Sequence, residues 1–224
     1  MKKVIFAALI SFTAFYATAQ TAPADLAEKE VKKLKPKVGI KAGYNFTKVV
    51  GSKTNYKPQN HSGFMVSGFY ATPSKGLGYR TELIFSRQGF SFDDAGKMQS
   101  VSQSYVYMPH LTTFTIAKTV QLQAGGQVGY LLNAKKEADA GNEEEKIIQY
   151  MNRIDYGVAA GIEVYPFKGT IIGARYNVSL GSMYKRYNEP TPGFPPPTPF
   201  PLPFDPSEFK GKNAVVQFFI GYRF

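Results

Sequence analysis

Candidate catalytic side chains are few in this sequence. Its 224 residues contain two histidines, His61 and His110, and Ser62 directly follows the first of them. A serine nucleophile needs a histidine base within hydrogen-bond reach and an acid that orients that base, and nothing around Ser62 indicates this geometry. The chain has no G-x-S-x-G or H-E-x-x-H segment and no cysteine, so it lacks a disulfide framework and a lipoprotein acylation site. We therefore expect no enzyme, no catalytic residue, no cofactor and no metal site.

Five charged residues are more informative, because each falls on the polar face of a segment in which polar and apolar residues alternate: Lys41, Arg80, Glu82, Glu163 and Arg175. Buried charge must be paired, so the first interpretation is a network of ion pairs and hydrogen bonds that fills the interior of the fold. The alternative is a gated narrow pore whose opening breaks these pairs. Glu163 and Arg175 face inward from neighbouring strands across a short turn, and we expect them to pair if the register brings them level.

Two further segments have compositions that bind ligands in other proteins. Residues 134–150 carry five acidic side chains among lysines, namely Glu137, Asp139, Glu143, Glu144 and Glu145. EF-hand spacing is absent, so a solvated loop is favoured over a cation site. Residues 189–204 are rich in proline, which favours a stiff polyproline II conformation with free backbone groups. Their aromatic residues, Phe194, Phe200 and Phe204, either dock a partner or fold back on the rim of the protein.

The elements that carry these residues have a period of two. Eight segments alternate between an apolar and a more polar face: 38–49, 62–72, 77–88, 104–116, 120–133, 154–165, 170–180 and 213–224. In the clearest of them, Leu122, Val128 and Tyr130 share one face while Gln121 and Gln123 lie on the other. Helical spacing would scatter these residues around an axis, whereas a strand with one face in lipid and one towards water alternates in this way.

The connections between the segments alternate in length. Long connections cover residues 50–61, 90–103, 134–152 and 183–212, and short ones cover 73–76, 117–119 and 166–169. Outer-membrane barrels have this alternation of long outer loops with short periplasmic turns, and single-chain bacterial barrels have an even number of strands. The sequence predicts an all-β fold, an eight-stranded antiparallel up-and-down transmembrane β-barrel with both mature termini in the periplasm. A soluble lipocalin-like barrel is the alternative, but it would place its apolar residues inside.

Glycines inside one strand fit the same interpretation. The segment Gly125-Gly126-Gln127-Val128-Gly129 loosely resembles a nucleotide-binding loop, but it lies within a strand pattern and not before a helix. We expect these glycines to make room inside a narrow barrel.

The chain begins with an export signal. Lys2 and Lys3 precede an apolar stretch that ends at Ala17-Thr18-Ala19, in the order of a signal peptide. We expect a signal peptide at residues 1–19, a polar periplasmic tail at 20–37 and the barrel at 38–224. The formal net charge of +11 becomes +9 when Lys2 and Lys3 are removed, which favours contact with lipopolysaccharide phosphates or acidic glycans; an exported chain rarely meets nucleic acid.

Four stretches of the sequence resemble a known family: ATAQ at the end of the signal, VGIKAGYNFTKV at 38–49, RIDYGVAAGIEVYP at 153–166 and the terminal GYRF. They are similar to the small outer-membrane β-barrel proteins of the Bacteroidota, described as porin-family or PorT-like, over residues 38–224. The sequence departs from that family at 105–113, where it keeps the tyrosine and the proline but lacks a glutamate and a lysine. His110 falls on the lipid-facing side there.

The resemblance implies a cell-envelope protein in the outer membrane of a Gram-negative bacterium. It implies a structural or interaction role through extracellular loops, with outer-membrane lipid, lipopolysaccharide and an extracellular ligand or protein as contacts. The terminal Phe224 resembles the signal by which the barrel-assembly machinery recognises such chains. A narrow gated porin for small solutes and, less favoured, an outer-membrane enzyme are the alternatives.

Overall fold

A computed structural model describes residues 35–51, 59–74, 76–94, 97–116, 119–138, 144–185 and 211–224. The predicted signal peptide, most of the predicted tail and the proline-rich segment with Phe194, Phe200 and Phe204 lie outside these residues. The described strands are β1 (Lys37–Val50), β2 (Gln59–Ala71), β3 (Leu77–Asp94), β4 (Lys97–Ile116), β5 (Val120–Ala138), β6 (Glu144–Lys146), β7 (Ile154–Val164), β8 (Thr170–Ser179) and β9 (Lys212–Arg223). A one-turn 3-10 helix covers Ile148–Tyr150.

Eight of these strands close into a ring. Each ring strand pairs antiparallel with the next one along the chain, and β1 pairs with β9 over twelve residues, from Gly39 opposite Arg223 to Val50 opposite Lys212. The three-residue β6 stands outside the ring and pairs with the end of β5. The prediction of an all-β, eight-stranded antiparallel barrel is confirmed. The described residues contain no helix long and apolar enough to span a membrane.

The two faces of the strands follow the predicted alternation. Large apolar side chains point outward, and Ile40, Leu83 and Ile220 each keep about 60% of their surface exposed (58%, 60% and 60%). Polar side chains such as Asn45, Gln123 and Gln217 point inward and are buried. This arrangement is the reverse of a lipocalin-like barrel, in which the apolar side chains fill the interior, and it matches a barrel with lipid as its outer solvent.

The barrel has two unlike ends. The connections at residues 72–76, 117–119 and 165–169 are short and share one end with the start of β1 and the end of β9; we call it the turn end. The opposite end, which carries the connections after β1, β3, β5 and β8, is the loop end. At the turn end, Gly169 adopts a φ of 84°, which a residue without a Cβ adopts at little cost.

One predicted long loop is in fact a hairpin. Residues 90–103 were expected to leave the strands, but β3 and β4 continue through them, with Phe90 opposite Val101 and Phe92 opposite Gln99. The physical reason is that inward side chains continue beyond the predicted end of the strand, since Phe90 and Phe92 both point inward and are only 1% exposed. Part of the predicted loop 134–152 likewise forms the end of β5 and its pairing with β6.

Three inward glycines each stand opposite an aromatic residue on the neighbouring strand: Gly39 opposite Phe69, Gly129 opposite Tyr107 and Gly173 opposite Phe219. A Cβ added at these glycines would lie only 2.5, 2.3 and 2.6 Å from the aromatic ring. Each ring therefore occupies the space that a side chain on the adjacent strand would need. For Gly129 this agrees with the expectation that glycine makes room inside a narrow barrel.

Candidate functional site

The structure brings the five predicted charged residues together in the middle of the lumen. Lys41 projects from β1, Arg80 and Glu82 from β3, Glu163 from β7 and Arg175 from β8, and none of them is more than 2% exposed. An eight-stranded barrel is just wide enough for its interior to be filled by side chains. The long side chains of these five residues meet across that interior, and we call them the charged layer.

Lys41 joins the two carboxylates of the charged layer. Its Nζ lies 2.5 Å from Oε1 of Glu82 and 2.7 Å from Oε1 of Glu163. On the other side of Glu163, Nη1 of Arg80 donates to both carboxylate oxygens at 2.7 and 2.6 Å. Each carboxylate thus has at least two cations in contact with it. Such pairing is what makes ionised groups tolerable in a site that excludes water.

The expected pairing of Glu163 with Arg175 is wrong. The register of β7 and β8 places Glu163 opposite Gly173 and Arg175 opposite Gly161, so the two residues are offset by two positions along the strands. Nη2 of Arg175 instead donates to Oε1 of Glu82 at 2.8 Å across the lumen. A long guanidinium side chain reaches a non-neighbouring strand in a barrel this narrow, and that reach is not visible in the spacing of the sequence.

Two aromatic rings complete the charged layer. Nζ of Lys41 lies 4.9 Å from the ring centre of Phe69 and 4.8 Å from that of Phe219, and the guanidinium carbon of Arg80 lies 4.5 Å from that of Phe69. Arg175 stands over Phe219 at 5.6 Å. Aromatic faces attract cations within about 6 Å. Sequence reasoning missed these two residues, although both alternate with outward residues on their strands.

Neutral side chains link the charged layer to the turn end. Nη2 of Arg80 donates to Oε1 of Gln121 at 2.7 Å, and the hydroxyl of Tyr165 lies 2.8 Å from Oε2 of Glu163. Tyr165 stands in the turn after β7, where burial and the nearby charge of Glu163 raise the pKa of its hydroxyl to about 12. At neutral pH this hydroxyl stays protonated and serves as a hydrogen-bond donor.

A polar layer separates the charged layer from the loop end. Asn45 donates from Nδ2 to Oγ of Ser86 at 2.8 Å and accepts from Gln217 Nε2 at 3.0 Å. Further along, the carboxylate of Asp155 accepts from the hydroxyls of Tyr107 at 2.9 Å and Ser179 at 2.6 Å. One cavity between these side chains measures only about 10 Å³, which is room for about one water molecule.

The loop end is closed by buried apolar side chains, and all of them except Tyr105 and Leu131 lie in segments that the sequence predicts as loops. The loop-end cluster consists of Phe90, Phe92, Val101, Tyr105, Leu131, Ala134, Ile147, Met151, Met183 and Tyr184. Met151 and Tyr184 join two connecting segments through an isolated β-bridge, and Asn152 fixes the same junction by donating to the carbonyl of Tyr184 at 2.9 Å. The available signal was a set of apolar residues inside otherwise polar connections.

Similarity to known sequences agrees with this geometry. The model of the family described as "Outer membrane protein beta-barrel domain" matches residues 18–185, which is most of the chain. The chain belongs to this outer-membrane β-barrel family. It is an outer-membrane protein. No curated protein matches it.

Three solved structures are reported as similar to this outer-membrane barrel, each at low identity. Ail, the attachment invasion locus protein of Yersinia pestis, in complex with the heparin analogue sucrose octasulfate, is 20% identical, with 85% of this chain and 100% of that chain covered and a TM-score of 0.44. Neisserial surface protein A is 11% identical, with coverages of 84% and 97% and a TM-score of 0.48. OprG from Pseudomonas aeruginosa is 12% identical, with coverages of 85% and 97% and a TM-score of 0.43.

The remaining predicted residues of this outer-membrane barrel do not assemble into a site. His110 lies on the outer face, where its ring stacks on Tyr79 and its Nδ1 contacts the Tyr79 hydroxyl. Phe224 is 71% exposed, and its backbone N–H donates to the carbonyl of Val38 at 2.9 Å. Within the described residues, no group of three or more histidines and acids is placed to hold a metal ion.

The acidic segment at 134–150 is only partly described. Glu137 of β5 stands opposite Glu144 of β6, and Lys136 stands opposite Glu145; Asp139 and Glu143 lie outside the described residues. The described part of this segment consists of the end of β5, its pairing with β6 and the one-turn 3-10 helix Ile148–Tyr150. Lys135 stands opposite Lys146, so only the middle one of the three register pairs joins opposite charges.

Proposed function

We propose that this protein is a non-enzymatic, non-conducting barrel of the outer membrane with a structural or interaction role exercised through its loop end. The observation that carries the proposal is the closure of the lumen at two levels, by the charged layer in the middle and by the loop-end cluster. Both levels consist of side chains that are almost completely buried, so a solute would have to separate ion pairs and an apolar cluster to pass.

The lengths of three strands support a role at the loop end. A transmembrane strand needs about 9–11 residues, whereas β3, β4 and β5 have 18, 20 and 19 residues. The additional residues of these strands extend beyond the hydrocarbon core of the membrane at the loop end, where they form a folded surface. An extracellular ligand or protein is the proposed partner of this surface, next to lipopolysaccharide. The phenylalanines of the proline-rich segment, Phe194, Phe200 and Phe204, stay candidate contacts.

The proposal also includes the orientation of the barrel in the membrane. In it, residues 1–19 are the export signal, residues 20–37 form a periplasmic tail, and the turn end faces the periplasm. The barrel would then be a PorT-like protein of the Bacteroidota, assembled by the barrel-assembly machinery with Phe224 as its terminal signal. Protease added to whole cells should cut within residues 134–150 or 183–212 and spare Lys75 and Lys168. Cleavage at those two lysines in intact cells would invert the topology.

Single-channel recording tests the closed lumen. The full mature chain, refolded in detergent and inserted into planar bilayers, should give no stable conductance, while a wide porin reconstituted in the same way serves as the positive control. Insertion is checked separately by the protease resistance of the bilayer-bound protein. Stable, reproducible conductance from the inserted barrel would overturn the proposal and favour the narrow gated porin.

A further inference from the structure

The lumen opens into a cavity of about 190 Å³ at the turn end. Three basic side chains line it: Arg80 at its floor next to the charged layer, Arg223 from the end of β9 and Lys37 from the start of β1. The guanidinium of Arg223 stands 4.4 Å from the ring centre of Tyr165, which also lines the cavity. No aspartate or glutamate belongs to its lining within the part of the chain that the structure describes.

The charged layer beneath the cavity has a net positive charge. The charged layer holds three cations and two carboxylates, which leaves one positive charge in excess. Arg80, the member of this layer that reaches the cavity, is only 1% exposed, and its Nε is buried without a hydrogen-bond partner within the described residues. Together with Lys37 and Arg223, the turn end therefore concentrates positive charge around a space larger than a single water molecule.

Hydroxyl groups supply further donors around the same space. Thr113, which is 3% exposed, and Thr115 and Ser74 line the cavity; Thr72 lines it too, but its hydroxyl donates to the carbonyl of Tyr79. Cations and hydroxyls that converge on one space suit an anion with several acceptor oxygens, because charge-assisted hydrogen bonds to such oxygens are stronger than neutral ones. A tetrahedral oxyanion presents acceptors in several directions at once and so suits donors that come from different strands.

We propose that this turn-end cavity binds phosphate, either as the free ion or as the terminal group of a small phosphomonoester. Arg223 and Lys37 hold the anion at the mouth, and Arg80, kept in place by Glu163, lies beneath it. The proposal concerns a second site, remote from the loop end, and does not depend on which partner the loops contact.

The test uses the full mature barrel refolded in a non-ionic maltoside detergent, which carries no phosphate of its own. Inorganic phosphate is titrated at constant ionic strength with chloride as the compensating ion, and backbone amide shifts are followed by NMR. We expect saturable shifts confined to turn-end amides such as those of Thr72, Thr113 and Arg223. A parallel titration with glycerol 3-phosphate separates the two sources: tighter binding of the ester identifies a phosphomonoester, and tighter binding of the free ion identifies inorganic phosphate.

Variants test whether the residues that line the cavity bind the phosphate. Replacing both mouth cations, Lys37→Gln with Arg223→Gln, should weaken phosphate binding by about tenfold or more, which is about 1.4 kcal/mol or more, since charge-assisted hydrogen bonds are stronger than neutral ones. Lys168→Gln with Arg153→Gln removes the same charge from exposed positions that do not line the cavity, and should change affinity by less than about twofold.

Two results would overturn the proposal. One is the absence of saturable shifts in the unmodified barrel up to millimolar phosphate. The other is equal weakening by the mouth variant and by its charge-matched control, which would mean a general effect of net charge. Thr113→Val, which keeps every charge and nearly the same volume, should lower affinity as well, and its heat-modifiable mobility on gels verifies that the barrel has folded.

Discussion

Nζ of Lys41 lies 2.7 Å from Oε1 of Glu163, although the two residues are 122 positions apart and their strands are not neighbours in the ring. Lys41 also holds Glu82 at 2.5 Å, so one ammonium group serves two buried carboxylates. This relationship makes Lys41 the central member of the charged layer.

Removal of Lys41 should therefore be costly. Lys41→Met removes its two contacts with Glu82 and Glu163, at 2.5 and 2.7 Å, and a hydrogen bond to a charged group typically contributes about 1.5–3 kcal/mol; Arg80 and Arg175 still compensate the two carboxylates. Denaturant titration of the refolded barrel, followed by heat-modifiable mobility, measures the loss. Lys168→Met, at an exposed turn position, is the control and should change stability by less than about 0.5 kcal/mol. Equal stability of the two variants would contradict the assigned role of Lys41.

A double-mutant cycle distinguishes the observed partner of Arg175 from the one expected from spacing. Glu82→Gln and Arg175→Met should be coupled by about 1 kcal/mol or more, because their side chains are in direct contact, and contacting residues show coupling of about 0.5–3 kcal/mol. Glu163→Gln and Arg175→Met should show a smaller coupling, transmitted only through the rest of the layer. The reverse ranking would restore the Glu163–Arg175 pair.

The close packing of the Tyr107 ring against Gly129 can be tested by adding one methyl group. Gly129→Ala places a Cβ 2.3 Å from the ring of Tyr107, and overpacking of this kind costs about 1–3 kcal/mol. Gly126→Ala is the matched control on the same strand, because its added Cβ would meet nothing closer than 3.9 Å. We expect a lower midpoint of denaturation for Gly129→Ala alone. A similar midpoint for both would show that the Tyr107 ring moves aside freely.

Two closures in series predict a specific pattern of conductance. Glu82→Ala with Arg175→Ala opens space in the charged layer but leaves the loop-end cluster intact, and Met151→Ala with Met183→Ala does the opposite. Each double variant should remain silent in planar bilayers, while the combined fourfold variant should conduct. Conductance from the first variant alone would identify the charged layer as the gate and strengthen the porin alternative.

The terminal residue gives a prediction for assembly. Deletion of Phe224 removes both the proposed recognition signal and the hydrogen bond from its backbone N–H to Val38, so the folded, heat-modifiable fraction in the membrane should fall. Phe167→Ala changes another exposed phenylalanine, in a turn at the same end, and should leave that fraction unchanged. Normal folded levels after the deletion would remove the special status of Phe224.

The sequence predicted the barrel well because strand faces depend on a local property. Alternation along each segment fixes which residues face lipid, and the lengths of the connections fix the order of ends, so Lys41, Arg80 and Glu82 were assigned to the lumen without any knowledge of pairing. What a residue contacts across the lumen depends on register and on side-chain reach. For that reason the partner of Arg175 was wrong and the rings of Phe69 and Phe219 were missed.

The loop end escaped prediction for a different reason. These connections were expected to be long outer loops, and the acidic one a solvated loop, yet residues such as Phe90, Met151 and Tyr184 gather there from segments far apart in the chain. Their burial depends on three connections folding against one another, and period-two reasoning carries no information on such contacts.

The distribution of the charged layer over the chain has a consequence for how the barrel forms. Its ion pairs join residues 41, 83, 93 and 122 positions apart, and they draw on β1, β3, β7 and β8. Long-range ion pairs of this kind contribute no stabilising free energy until the chain between the two residues has been ordered. An incomplete sheet has strand edges without hydrogen-bond partners and interior charges without their counter-ions. The free-energy costs of both are removed when β1 pairs with β9. We therefore expect closure to be a single cooperative step. A chain that ends before β9 is complete should form no stable, partly closed barrel.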